Sequence, residues 1–125
     1  MSGLELILVA IGGALGALAR SVADQAAARA GWNAESGTFV INLTGSLLAG
    51  LLITLIVERT FVPAEMRPFL ITGVLGGFTT FSALSLQLAR LIAAGDAFHA
   101  VAYAAGSVVL GVVGALLGVA LGRLV

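Results

Sequence analysis

Asn42, Thr79, Thr80, Phe81, Ser82, Tyr103 and Ser107 are the side chains here that suit a polar guest, and all fall inside long apolar stretches. They offer amide and hydroxyl donors and the positive edge of a phenyl ring. Arg20 is the one cation at comparable depth. It either snorkels to an interface or puts positive potential at a vestibule that concentrates anions. No carboxylate sits mid-span: Glu5 opens the first stretch and Glu58 follows the second. A cation pathway or proton-coupled carrier normally uses a buried Asp or Glu. Neutral donors suit a small anion instead. The serines have no base beside them, and His99, the sole histidine, lies near an interface, so a hydrolase is hard to build. Without cysteine there are no disulfides, thiolate catalysis or cysteine metal sites.

The elements that must hold these residues are membrane spans. The chain is 60% hydrophobic and 10% charged, far from the ~25% charged residues of a soluble domain. Four apolar stretches, about 4–23, 38–57, 69–94 and 98–121, each approach or exceed the ~20 residues that cross a bilayer. The first lacks a basic region ahead of it and three more follow, so it reads as a retained helix, not a signal peptide. The connections are 24–37, 58–68 and a tight one around Gly95-Asp96, with Pro68 at a plausible first turn of span three. The expectation is an all-α membrane protein of four transmembrane helices in one domain, residues 1–125, in a multi-pass cell (plasma or inner) membrane. Net charge is zero, and nothing points to nucleic acid.

Span three carries Gly73-Val74-Leu75-Gly76-Gly77-Phe78-Thr79-Thr80-Phe81-Ser82 at its centre. Irregular backbone at that depth survives only buried in protein or lining a pathway. The expectation is a helix broken at mid-membrane over Gly76–Thr79, whose freed carbonyls and hydroxyls hold something polar. In span two, Asn42, Gly45, Ser46 and Ala49 share a face. Asn42 is either an interhelical tie worth ~0.6–2 kcal/mol or an inward donor serving flux and not assembly. Tyr103 and Ser107 lie one turn apart and can both donate inward. Gly12, Gly16 and the stripe Gly111, Gly114, Gly118 and Gly122 read as close packing faces.

Arginines split evenly: Arg59, Arg67 and Arg123 on one side, Arg20, Arg29 and Arg90 on the other. The positive-inside rule then has no imbalance to act on. Either both orientations insert and two opposite copies pair, or weaker signals fix one.

Four motifs together resemble the CrcB/Fluc fluoride-channel family: Gly12-Gly13-x-x-Gly16-Ala17-x-x-Arg20, Gly37-Thr38-x-x-Ile41-Asn42-x-x-Gly45, Gly73 through Ser82, and the Tyr103–Ser107 pair. The resemblance implies an antiparallel, dual-topology homodimer that exports fluoride passively through two pores. It also implies a structural Na⁺ held at the dimer interface by backbone carbonyls, whose matching positions are Gly76 and Thr79. Asn42, Thr80, Phe81, Ser82, Tyr103 and Ser107 match the pore, and Arg20 the vestibule. Thr-Thr-Phe-Ser continues here as Ala83-Leu84-Ser85, where the family usually has Thr-Phe-Ser, and Gln87 stands where glutamate is frequent. Leu84 has no ring edge, although at helical spacing it shares a face, and thus a pore, with Phe81. An unlike homologous subunit supplying the missing ring is one answer. The rivals are a small multidrug-resistance-type proton antiporter, which requires a carboxylate that residues 6–19 lack, and a non-transporting assembly subunit.

The charge balance predicts dual insertion. C-terminal reporter fusions should signal on both sides of the membrane, and two lysines added beside Arg123 should bias that terminus toward the cytoplasm. A single orientation in the unmodified protein would exclude the antiparallel homodimer.

Overall fold

The computed structural model describes residues 1–125 and contains helices and turns without strands. Helix α1 is Gly3–Arg29 and α2 is Ala34–Val57. A π-helical segment, Pro68–Leu75, runs into a single turn, α3, Gly76–Phe78. Helix α4 is Phe81–Ala93 and α5 is Ala97–Leu124. Four helical rods are long and apolar enough to cross a membrane, with Ala64–Ala93 counted as one. Exposure is the reverse of a soluble protein. Ile7, Ile11 and Leu15 on α1 and Val108, Val112 and Leu116 on α5 face outward, where lipid replaces water.

Caps fix where the rods begin. Ser2 and Glu5 form a reciprocal capping box on α1. The Asn33 side chain accepts from the Ser36 N–H to cap α2, and Asp96 accepts from the His99 N–H to cap α5. Gly31 and Gly95 turn the chain with φ of +85° and +80°. The first connection is much shorter than the sequence suggests, because α1 continues to Arg29 and α2 already starts at Ala34. Residues 24–30 are too polar to read as membrane span, yet their alanines are strong helix formers.

The third rod breaks at the far end of the expected Gly76–Thr79 segment. Gly76 is α-helical, with φ −62° and ψ −36°. The extended residues are Thr79 (φ −85°, ψ 157°) and Thr80 (φ −149°, ψ 119°). The glycines serve a different purpose: they let rods touch backbone to backbone. A methyl group on Gly73 would come within 2.9 Å of Gly12 Cα. One on Gly16 would strike the Val74 carbonyl, and one on Gly77 the Gly13 carbonyl. The α2–α5 crossing repeats this, with Gly50 against the Ala115 carbonyl and Gly118 against that of Leu47. Lipid tails give apolar side chains no reason to leave them, so such close van der Waals approach must hold the bundle. At one end, Arg123 grips the Glu58 carboxylate through two bonds of 2.8 and 2.9 Å.

These crossings predict asymmetric tolerance. Gly16→Val and Gly77→Val should each lower the unfolding midpoint in detergent, by an overpacking cost of at least ~1–3 kcal/mol. Gly106→Ala, where a methyl meets nothing within 4 Å, should leave it unchanged or raise it. Equal effects at all three positions would contradict the backbone-contact account.

Candidate functional site

One side chain holds the break open. Asn42 Nδ2 donates to the Thr80 carbonyl at 2.9 Å, and the Thr80 N–H donates to Asn42 Oδ1 at 2.8 Å. The carboxamide thus pairs with the Thr80 backbone as a neighbouring strand would. Only an amide presents a donor and an acceptor side by side; aspartate at this length would lack the donor. In a continuous helix the Thr80 N–H would bond the Gly76 carbonyl. Here it is diverted to Asn42, and Gly76 loses its helical partner.

Each end created by the break is closed locally. Thr79 donates both its N–H and its hydroxyl to the Leu75 carbonyl, at 3.0 and 2.9 Å. The Thr80 hydroxyl accepts from the Ala83 N–H at 3.1 Å and lies 3.3 Å from the Ser82 hydroxyl. Gly45 makes room on α2 for the Thr79 methyl. Helix α4 therefore begins at mid-membrane, with the N–H groups of its first turn lacking intrahelical partners and the positive end of its dipole at the break. Arg20 closes the opposite side: its Nε donates to the Gly77 carbonyl at 3.1 Å from a part-buried position. The guanidinium complements the carbonyl end of α3. It sits beside the break and not in a connecting loop, which leaves Arg29 and Arg90 as the flanking arginines of that side.

Asn42, Thr79, Thr80, Phe81, Gly76 and Leu84 come together along a groove of about 440 Å³. Phe81 and Leu84 share that groove, as their spacing suggests, but not equally. The Phe81 ring is 79% exposed and Leu84 only 8%. Leu84 packs into the fold, while Phe81 is the ring a visiting ion or a partner would meet.

Tyr103 lies elsewhere, on a larger cavity of about 760 Å³ between α2 and α5. Its hydroxyl donates to Gln87 Oε1 at 2.7 Å, and Gln87 Nε2 donates to the Thr38 hydroxyl at 2.8 Å. The phenol proton expected to point at a guest is committed to this strap across α2, α4 and α5. Sequence reasoning missed Thr38 and the joining role of Gln87. The available signal was Gln87 itself, a long amide within an apolar span that had to find two partners. Ser107 Oγ is buried with no hydrogen-bond partner. Such a group costs ~1–3 kcal/mol; its hydroxyl is uncommitted and lines neither cavity.

The geometry has relatives. Residues 7–119 match the CrcB-like protein family, Camphor Resistance (CrcB). The chain is 46% identical over 121 residues to the fluoride-specific ion channel FluC 2 of Nitrobacter hamburgensis, spanning 96% of this chain and 98% of that protein. It is 43% identical over 120 residues to the fluoride-specific ion channel FluC of Chloroflexus aurantiacus (strain ATCC 29366), 95% of each chain. With the same-named protein of Agrobacterium fabrum it shares 42% over 121 residues, 96% of this chain and 97% of that one.

Because Asn42 carries the break, it serves architecture as well as any ion, contrary to a role in flux alone. Asn42→Asp keeps the acceptor but loses the donor and sets a carboxylate against the Thr80 carbonyl. It should lower stability by ~1–3 kcal/mol and speed amide exchange at Thr80. Thr44→Ala, on the exposed side of α2, should do neither. Hydrogen exchange and thermal unfolding of the two variants check this.

Proposed function

This chain belongs to the CrcB-like protein family, and we propose on that premise that it is a passive fluoride channel, lowering intracellular fluoride toxicity. Hydrogen fluoride enters cells uncharged and ionises in a near-neutral cytoplasm. A negative-inside potential then drives the trapped anion out, at ~2.3 kcal/mol per 100 mV for one charge. The observation that carries the reading is the clasped break at mid-membrane, beside a groove lined by an amide, hydroxyls and a phenyl ring. A small anion must exchange its hydration shell for fixed donors, and these are neutral donors with no carboxylate among them. This is channel chemistry, not catalysis. The remaining Nδ2 hydrogen of Asn42, the Thr80 and Ser82 hydroxyls and the Phe81 edge would meet the ion first. Ser107 Oγ and the Tyr103 region would meet it next, with Arg20 supplying positive potential.

The working unit in this reading is an antiparallel pair of copies in the lipid bilayer. Within one copy Asn42 and Thr80 line one cavity and Tyr103 a separate one, so a continuous path calls for a second surface. Gly76 is exposed, and its carbonyl has lost its helical partner. Hard oxygen donors of this kind suit an alkali ion, and no cluster of His, Cys, Asp or Glu offers an alternative metal site. The residues present therefore fit a structural Na⁺ held by the Gly76 and Thr79 carbonyls of the two copies, where it would neutralise facing carbonyl ends.

Pairing with an unlike homologous subunit is the second reading, favoured by Leu84, which gives the groove an aliphatic side chain where a second ring would stand. Fluoride efflux from liposomes holding only this chain separates the two. The homodimeric channel predicts robust efflux, reduced at least ~10-fold by Phe81→Ile if the lost ring contact is worth ~1.4 kcal/mol. Leu84→Phe should restore little, because Leu84 is buried and overpacking there costs ~1–3 kcal/mol. A silent unmodified chain that gains efflux with Leu84→Phe would favour the unlike pair. Strong efflux indifferent to Phe81→Ile would defeat the ring-edge mechanism.

A further inference from the structure

The larger cavity, about 760 Å³, has a charged mouth that the conduction reading leaves unexplained. Its lining includes Trp32, Asn33, Glu35 and Ser36 at the start of α2 and His99 and Tyr103 on α5. His99 precedes Tyr103 by one helical turn, so the imidazole stands outside and the phenol inside on one stripe. His99 Nδ1 lies 3.4 Å from Asp96 Oδ2, and both side chains are about half exposed, at 46% and 53%. With the ring neutral, Glu35 in the lining and Asp96, which stands beside His99 but outside the lining, put two negative charges at this mouth, an obstacle to any anion. Protonation of the ring removes one of them. Other ionisable groups at this end are Asp24 and Arg29 on α1 and Arg90 on α4, none of which lines the cavity. Asp24 lines a separate, smaller one.

We propose that the Glu35–His99–Asp96 mouth is a proton-dependent entry site for small anions, admitting fluoride to the Tyr103 cavity when His99 is protonated. Imidazole changes charge between about pH 5 and 8. One unit charge ~8 Å from the ion through water changes its local concentration about twofold. The inference rests on fluoride conduction, and the test keeps the two apart.

The test is fluoride current through the full-length protein in planar bilayers, which counts the ion and not uncharged hydrogen fluoride. Both solutions are set at about pH 5.5 or about pH 8, bracketing imidazole titration. Unmodified protein should pass about twofold more current at the acidic setting. His99→Gln should remove the dependence, and Glu35→Gln should raise the current at the alkaline setting. Absence of any fluoride current would sink the conduction reading. A current of equal size at both pH values, or one whose dependence survives His99→Gln, would overturn the entry site alone. Because His99 is the only histidine, its imidazole resonance is uniquely identifiable by NMR. By linkage, saturating fluoride should move its midpoint upward by about 0.3 pH, the equivalent of twofold tighter binding. An unmoved midpoint would also overturn the proposal, independently of any substitution.

Discussion

The paired hydrogen bonds between the Asn42 carboxamide and the Thr80 backbone are the constraint on which the rest of the site depends. Two bonds of ordinary length redirect the N–H that would continue the third rod as a helix. Everything nearby follows from that diversion. The Gly76 carbonyl is released, Thr80 turns into a cap, α4 starts at mid-membrane, and the Phe81 ring is set outward at the new helix start. Water cannot repair a broken helix at that depth, so the break persists only because a neighbouring helix supplies the missing partners. A polar residue that costs energy in lipid when alone becomes less costly once its amide finds partners.

The rest of the bundle brings α2 and the third rod to within reach of each other and holds them there. Glycine crossings seat α1 on the π segment and α3, and α2 on α5, at backbone distance. The Thr38–Gln87–Tyr103 strap then ties α2, α4 and α5 with neutral groups alone. A neutral strap adds no charge to oppose an anion and none to attract a cation. The donors that stay uncommitted, chiefly Ser107 Oγ and the second Nδ2 hydrogen of Asn42, are correspondingly few. That scarcity matches an ion small enough to be held by a handful of contacts.

Much of this was legible in the sequence, for physical reasons that differ by residue. Hydropathy gave the four rods, and the unusual polar cluster at 79–82 marked a break somewhere in span three. Its exact place was hidden. Glycines are the local signal for a break, but Gly76 and Gly77 are helical, because the break is made by a tertiary bond from Asn42 that no local pattern contains. The helix ends were misjudged where alanine-rich polar segments continue as helix beyond the apolar run. The strap was missed because Thr38, Gln87 and Tyr103 are distant in sequence and each looks ordinary alone. Spacing puts Leu84 and Phe81 on one face, but it says nothing about which of two neighbours is covered.

The central claim is that donors exposed by this break replace the hydration shell of fluoride and not of a larger halide. The most direct measurement is the reversal potential of the reconstituted protein under opposed fluoride and chloride gradients. The account predicts a potential set by the fluoride gradient and unmoved when chloride is varied. A potential that shifts comparably with either anion would contradict it.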